Sequence, residues 1–313
     1  MKIWCVVIAI IYSICSLQAN ESVLMMEDLG ISAKSIAAGG IDGAFESSSN
    51  IMKNPALMGR DYQISLDMFH TTLLEEISYN TLSLSRTIGQ FTLGVGYLKS
   101  SLSNMPKTAE NSAGEFYKID TYSYKLSQIH TGFCYEFNKE KDINKQIQSF
   151  VVGLGVMHRS TQLGEISGEG YKVDIGFKLL LSHIKWIGSI SSLPFLSNTM
   201  AYSDHSTETF SSQIATSIHV NLGPFQPMVG YKYNMDNDQN GLLHAGIKWT
   251  PFKSSILSIL GGYRQMYDLD DVLERITIGL HLNLGTIQLS YAYEQSDRDI
   301  YNNENYFSLG LKL

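Results

Sequence analysis

The chain lacks most of what a catalytic or nucleic-acid-binding protein needs. Its 313 residues include three cysteines and six prolines, and the formal net charge is −7 with no basic cluster. Nucleic acid is bound through clustered lysine and arginine, so that class is excluded. Beyond the first 19 residues no apolar run reaches the roughly 18 that a helix needs to cross a bilayer, so there is no candidate membrane-spanning helix. Cys5 and Cys15 lie in that first stretch, leaving Cys134 alone in Gly132-Phe133-Cys134-Tyr135. This excludes an intramolecular disulfide there and reads as a small wall residue rather than a nucleophile. The histidines, His70, His130, His158, His183, His205, His219, His244 and His281, have no metal-ligand spacing. Asp236-Asn237-Asp238-Gln239-Asn240-Gly241 opens like a calcium loop, but the twelfth position, where a bidentate glutamate is required, is Ile247. It reads as a hairpin loop. No Ser/His/Asp arrangement is suggested, so neither an enzyme nor a bound metal or cofactor is expected.

What the chain does contain is alternation. Ile276, Ile278, Leu280, Leu282 and Leu284 interleave with Thr277, Gly279, His281 and Asn283, one face aliphatic and the other polar or small. The same division runs through Phe91–Tyr97, Tyr171–Leu181 and Ile214–Leu222. Period-two segments of about 9 to 12 residues fit tilted strands crossing a hydrocarbon layer. The N-terminal layout agrees: Lys2, an apolar run from Ile3 to Ile14, then Ser16-Leu17-Gln18-Ala19, as in a secretory signal cleaved after Ala19. Fourteen strands are counted, near residues 61–73, 76–87, 90–101, 119–137, 149–159, 170–182, 184–192, 209–222, 225–235, 241–251, 255–266, 273–284, 285–295 and 304–313. Links after the second, sixth, eighth, tenth and twelfth are short. Those after the third, fifth, seventh, ninth, eleventh and thirteenth are mostly longer and polar. The long link from Asn138 to Gln148 breaks this rule and leaves twelve strands open.

The expected fold is therefore all-β: a closed antiparallel transmembrane β-barrel in the bacterial outer membrane. With the aliphatic face turned to lipid, Lys172, Asp174, Lys178, His219, Asn221, His281, Asn283, Gln288 and Lys312 point inward. That lumen is of mixed sign and holds water without strong ion selectivity. Tyr62, Phe69, Tyr79, Tyr263, Tyr293 and Phe307 are expected in interfacial girdles.

Residues 20–60 depart from this pattern. They are rich in Gly, Ala and Ser, and are expected to form a plug inside the wall of residues 61–313, with 1–19 as the signal peptide. Ile31–Ala38 is long enough for about two helical turns, which Gly39-Gly40 can stop. Asn54 can cap a helix start whose first position is Pro55, followed by Ala56. Gly94, Gly96, Gly153 and Gly155 lie inside strands and are expected to relieve crowding against the plug.

Ala37-Ala38-Gly39-Gly40, Glu46-Ser47-Ser48-Ser49 and Asn54-Pro55-Ala56-Leu57 together resemble the N-terminal region of the FadL-type channels and the PorV/PorQ outer-membrane proteins. Gly114-Glu115-Phe116, Gly168–Gly176 and Leu289–Tyr293 extend the resemblance to PorV/PorQ. Those families usually carry an Asp pair where this chain has Glu46 and serines. The resemblance implies one of two functions. The first is a passive channel for small hydrophobic molecules, gated by the plug, with Val23–Met26 near the ligand site. The second is a non-enzymatic shuttle or assembly component of a secretion and surface-attachment system, holding secreted client proteins. Tyr306–Leu313 resembles the C-terminal signal read by the barrel-insertion machinery, so the expected partners are that machinery and outer-membrane lipid.

Overall fold

A computed structural model describes residues 29–41, 43–59, 62–73, 76–110, 116–137, 147–193, 198–235, 241–251, 256–268, 271–296 and 303–313. The expected signal peptide (1–19), Val23–Met26 and Asp236–Asn240 lie outside them.

The strands are β1 (Ile64–Leu73), β2 (Ile77–Ile88), β3 (Phe91–Glu110), β4 (Phe116–Phe137), β5 (Ile147–Leu163), β6 (Ile166–Leu181), β7 (Ile184–Ser191), β8 (Thr199–Tyr202), β9 (Thr207–Thr209), β10 (Gln213–Val220), β11 (Phe225–Asn234), β12 (Leu242–Trp249), β13 (Leu257–Asp268), β14 (Asp271–Leu284), β15 (Ile287–Ser296) and β16 (Glu304–Lys312). All but β8 and β9 form the wall. Each wall strand pairs antiparallel with its neighbour, β7 with β10, and β16 closes on β1 through Ser65↔Lys312 to Thr71↔Tyr306. The barrel thus has fourteen strands, and twelve is ruled out. β4 and β5 pair directly from Tyr124↔Leu163 to Phe137↔Phe150, so they are neighbours in the wall.

Alternation decides which face meets which medium. Ile276 and Ile278 are 65% and 56% exposed while Thr277 between them is 2% exposed. A continuous apolar exterior of this kind is stable only against hydrocarbon. Phe91, Tyr135, Phe137 and Phe150 join ring to ring at the short-turn end, as do Phe177 with Trp186 and Phe225 with Trp249. Phe307 and Tyr291 sit together toward the other end. Two of the expected girdle residues face the other way. Phe69 and Tyr79 fall on the inward register and are 4% and 0% exposed, stacked or edge-on with each other and with Tyr306.

The far rim also differs from expectation. The links after the third and fifth strands were read as polar loops, but residues there continue as paired strand. β3 and β4 have 20 and 22 residues, and β5 turns into β6 through Gly164 in the left-handed region. Polar sequence does not preclude pairing once a neighbouring strand supplies the ladder. The long link after β7 carries the hairpin β8–β9, whose β8 takes up the edge of β6 at Gly168–Gly170 where β7 has ended.

Residues 29–59 fill the barrel. Ser32 caps helix α1 (Ala33–Ala37) by accepting from Ser35 N, and Gly39 and Gly40, at φ +80° and +65°, end it. Asn54 Oδ1 accepts from Ala56 N and Pro55 opens a short 3-10 turn, Pro55–Leu57. Inward glycines let this backbone reach the wall. A Cβ on Gly153 would lie 2.5 Å from the Pro55 carbonyl carbon, one on Gly262 2.5 Å from Gly39 Cα, and one on Gly96 2.8 Å from Ile51 Cγ2. Such distances leave no room for a side chain.

Candidate functional site

Toward the loop rim the inner wall is mixed: β1 to β4 and β16 turn Phe69, Leu73, Tyr79, Leu98, Leu126 and Tyr306 inward, all at most 5% exposed, while Arg159, Lys232, Arg264, Arg275 and Glu294 are buried on other strands. The apolar six form one cluster with Ile31, Ile36 and Ile51 of the plug. Toward the turn rim the inner face is polar and cationic. This apolar patch is absent from the mixed polar lumen read from alternation, because a few large residues among small ones do not disturb a period-two pattern.

Six of the nine residues expected to line the lumen are buried on the inner face: Lys172, Asp174, Lys178, His219, His281 and Lys312. They do not share one site. Lys178 Nζ lies 2.9 Å from Glu46 Oε1 and ties β6 to the plug. Lys312 Nζ lies 4.0 Å from Asp67 Oδ2, the carboxylate that accepts from Ser48 N at 2.8 Å and Ser48 Oγ at 2.6 Å. Lys172 donates to Ser191 Oγ at 3.0 Å, and that hydroxyl donates to Asp174 at 2.8 Å, so this pair braces the wall where β7 ends. His219 contacts Ser217 and His281 contacts Ser290, both within the wall. Gln288 is half-buried across from Gly310. Asn221 is corrected: it is exposed in a turn, where its Oδ1 accepts from Gly223 N at 3.2 Å. Asn283 does the same for Gly285 N at 3.3 Å and is only half-buried. Both asparagines precede a Leu-Gly turn, which claims the side chain before the lumen can.

The plug motif residues are in the seat itself. Gly39 O meets His244 Nδ1 at 2.8 Å, and Gly40 lies beside the Arg264 side chain. Asn54 Nδ2 donates to Gly188 O at 3.0 Å, while Pro55 and Ala56 lie on Gly153. Further bonds run from Ala33 N to Ser308 Oγ and from Thr277 Oγ1 to Ala37 O.

Sequence reading missed the most buried charges. Glu294 is 0% exposed between Arg264 and Arg275, with Arg264 Nη2 donating at 2.7 Å and Tyr306 Oη at 3.1 Å. Arg264 also donates to Leu29 O at 3.3 Å, so the cluster holds the start of the described plug. No pattern in the sequence pairs them: Arg264 and Arg275 become direct cross-strand partners only in the folded wall, where two like charges so placed call for a carboxylate. At the turn rim, Lys34 of α1 sits over the Phe45 ring at 4.5 Å and Lys248 at 5.8 Å from the same centroid. Burial, then the charges of Lys312 and Lys248, lower the Lys34 ammonium from its ordinary 10.5 to about 7. No group of three or more His, Cys, Asp or Glu able to hold a metal occurs among the described residues.

The sequence matches no family model and no curated protein. Its structure does match solved ones. It superimposes on the toluene transporter TbuX of Ralstonia pickettii with a TM-score of 0.59, at 12% identity over 92% of this chain and 100% of that one. It superimposes on a deletion mutant of the monoaromatic hydrocarbon channel TodX with a TM-score of 0.60, at 10% identity over 91% and 98%. These likenesses bear on the FadL-type half of the resemblance, not on the PorV/PorQ half. With its fourteen strands and the segment filling them, the chain has the fold of the FadL-family outer-membrane channels.

Proposed function

We propose that the protein is a passive outer-membrane channel for small hydrophobic molecules, with residues 29–59 as its gate. One observation carries this reading: on β1 to β4 the inner wall against the plug is apolar, with Phe69, Leu73, Tyr79, Leu98 and Leu126 turned inward and packed with Ile31, Ile36 and Ile51. A water-filled pore lines its lumen with polar groups, so an apolar lining favours a solute that leaves water readily. The fold it shares with TbuX and TodX is consistent with this. Movement of the plug would open the path, because the lumen as built is filled. The test is uptake of toluene against glycerol into vesicles carrying the purified barrel. Faster toluene entry than in empty vesicles, without faster glycerol entry, is expected; equal rates with and without the barrel would remove the proposal.

A second reading rests on a different feature. A strand needs roughly 9 to 11 residues to cross, so β3 and β4, with 20 and 22, continue well past the wall as a sheet with β5 and β6. Such a ledge suits the holding of a secreted client. Shortening β3 and β4 together past Leu102 and Tyr124 would then abolish client co-purification and leave toluene uptake unchanged.

A further inference from the structure

The outer face of β3 and β4 changes character at one level. From the turn rim, where Phe91 pairs with Tyr135, the outward positions are mainly apolar: Leu93, Val95 and Tyr97 on β3, Phe133 and Ile129 on β4. The next outward positions are Lys99, opposite Ser127, and then Lys125, opposite Ser101. Both lysines are exposed, while Leu98, Ser100 and Leu126 beside them are buried on the inner face. Counted inclusively, Phe91 to Lys99 is nine residues and Tyr135 to Lys125 is eleven, the length of strand that crosses the hydrocarbon layer. The two ammonium groups therefore stand where hydrocarbon gives way to the head groups of the outward-facing leaflet.

Lys99 and Lys125 are diagonal neighbours across the β3–β4 ladder, positions about 7–8 Å apart. Like charges so placed repel unless an anion joins them, and the wall offers none. Lys99 is flanked by Asn80 on β2 and Ser127 on β4, and Lys125 by Ser101 on β3 and Gln162 on β5. No carboxylate occupies a direct or diagonal position beside either lysine. Glu169, on β6, faces His158 at 3.9 Å instead. Asp120 and Glu165 line a hollow of about 810 Å³ above, together with Lys107 and Lys125, and among the described residues neither forms an ion pair with Lys125. Elsewhere on this rim β11, β14 and β15 present Tyr233, Glu274 and Gln295 outward, so the positive charge is local to β3 and β4.

We propose that Lys99 and Lys125 bind the phosphate of one anionic lipid in the outward-facing leaflet, at the foot of the β3–β4 extension. The two ammonium groups flank the phosphate, and the hydroxyl and amide groups of Ser101, Ser127 and Gln162 supply further donors. The acyl chains lie down the wall over Leu82, Tyr97 and Ile129, all exposed on the outer face. Level and charge choose this occupant. The place above the apolar belt calls for a lipid head, and two ammonium groups without a carboxylate favour a head of net negative charge. A zwitterionic head brings its own cation against them.

The experiment is native mass spectrometry of the detergent-purified full chain, titrated with phosphatidylglycerol or phosphatidylcholine of identical chains. With about five-fold from each lysine, the first phosphatidylglycerol should be retained at about 25-fold lower concentration than phosphatidylcholine. Lys99→Gln and Lys125→Gln should each weaken phosphatidylglycerol retention about five-fold and leave phosphatidylcholine unchanged. Lys99→Arg combined with Lys125→Arg should keep the preference. Arg86→Gln makes the same charge change at an exposed outward position near the turn rim, and should leave retention as in the parent. Heat-modifiable gel mobility shows that each variant is folded. Equal retention of the two lipids by the parent, a loss in Arg86→Gln as large as that in Lys99→Gln, or equal loss of both lipids in the lysine variants would each overturn the proposal.

Discussion

Gly153→Ala and Gly262→Ala test whether the plug is held by close backbone approach. Each adds one methyl group to the inner wall at a different seat. At Gly153 the new carbon would lie 2.5 Å from the Pro55 carbonyl carbon and 2.9 Å from Ala56 Cα; at Gly262 it would lie 2.5 Å from Gly39 Cα. These neighbours are backbone and cannot rotate away, so the plug must shift. Overpacking a filled core costs about 1–3 kcal/mol, which corresponds to a rise of roughly 5- to 150-fold in the displaced population. Cys134 is the reporter. It is 0% exposed on the inner wall, and its strand position faces Gly153 across the β4–β5 ladder. When opening and closing are fast against labelling, its rate of reaction with a maleimide follows the open population. Gly153→Ala should therefore label about 5- to 150-fold faster than the parent, with Gly262→Ala accelerated within the same range. The control is Gly261→Ala, one residue along β13 and facing outward, where the nearest atom to a new Cβ is 3.9 Å away. If Gly153→Ala labels no faster than Gly261→Ala, the plug is not seated by these glycines.

Glu294→Gln leaves Arg264 and Arg275 buried without their carboxylate and should destabilise the barrel by about 3–5 kcal/mol in urea unfolding. His158→Ala, which removes a half-exposed contact 3.9 Å from Glu169, should cost about 1 kcal/mol or less. Ile278→Arg, on the lipid face, should cost about 2–4 kcal/mol and lower the folded band in heat-modifiable gel mobility; Thr277 beside it faces the plug, so the loss depends on the face. Lys34 gives a pH dependence. Its seated value of about 7 lies below its ordinary 10.5, so a released plug binds more protons between those values. Seating should thus be weakest below about pH 7 and strengthen as pH rises toward 10.5. Lys34→Met should remove that slope when Cys134 labelling of the two proteins is compared at each pH.

The wall and its polarity were legible because a barrel between lipid and a filled interior imposes the same two-residue period on every strand. The caps at Ser32 and Asn54 and the stop at Gly39-Gly40 were legible because they are local: each depends on a few neighbouring residues and on which side chain can satisfy a free N–H. What sequence could not supply was register between distant strands. Their place near strand ends suggested a girdle for Phe69 and Tyr79, but both fall on the buried, inward parity of their strands. Asn221 shared the inward parity but was claimed by its own turn. The extension of β3 to β6 beyond the wall depends on four strands supporting one another, which no single segment encodes. Composition and period thus determined a plugged barrel with an aliphatic exterior. Tertiary structure alone decided that Arg264, Arg275 and Glu294, separated by 11 and 19 residues along the chain, would share one buried site, because their meeting requires three strands to be aligned.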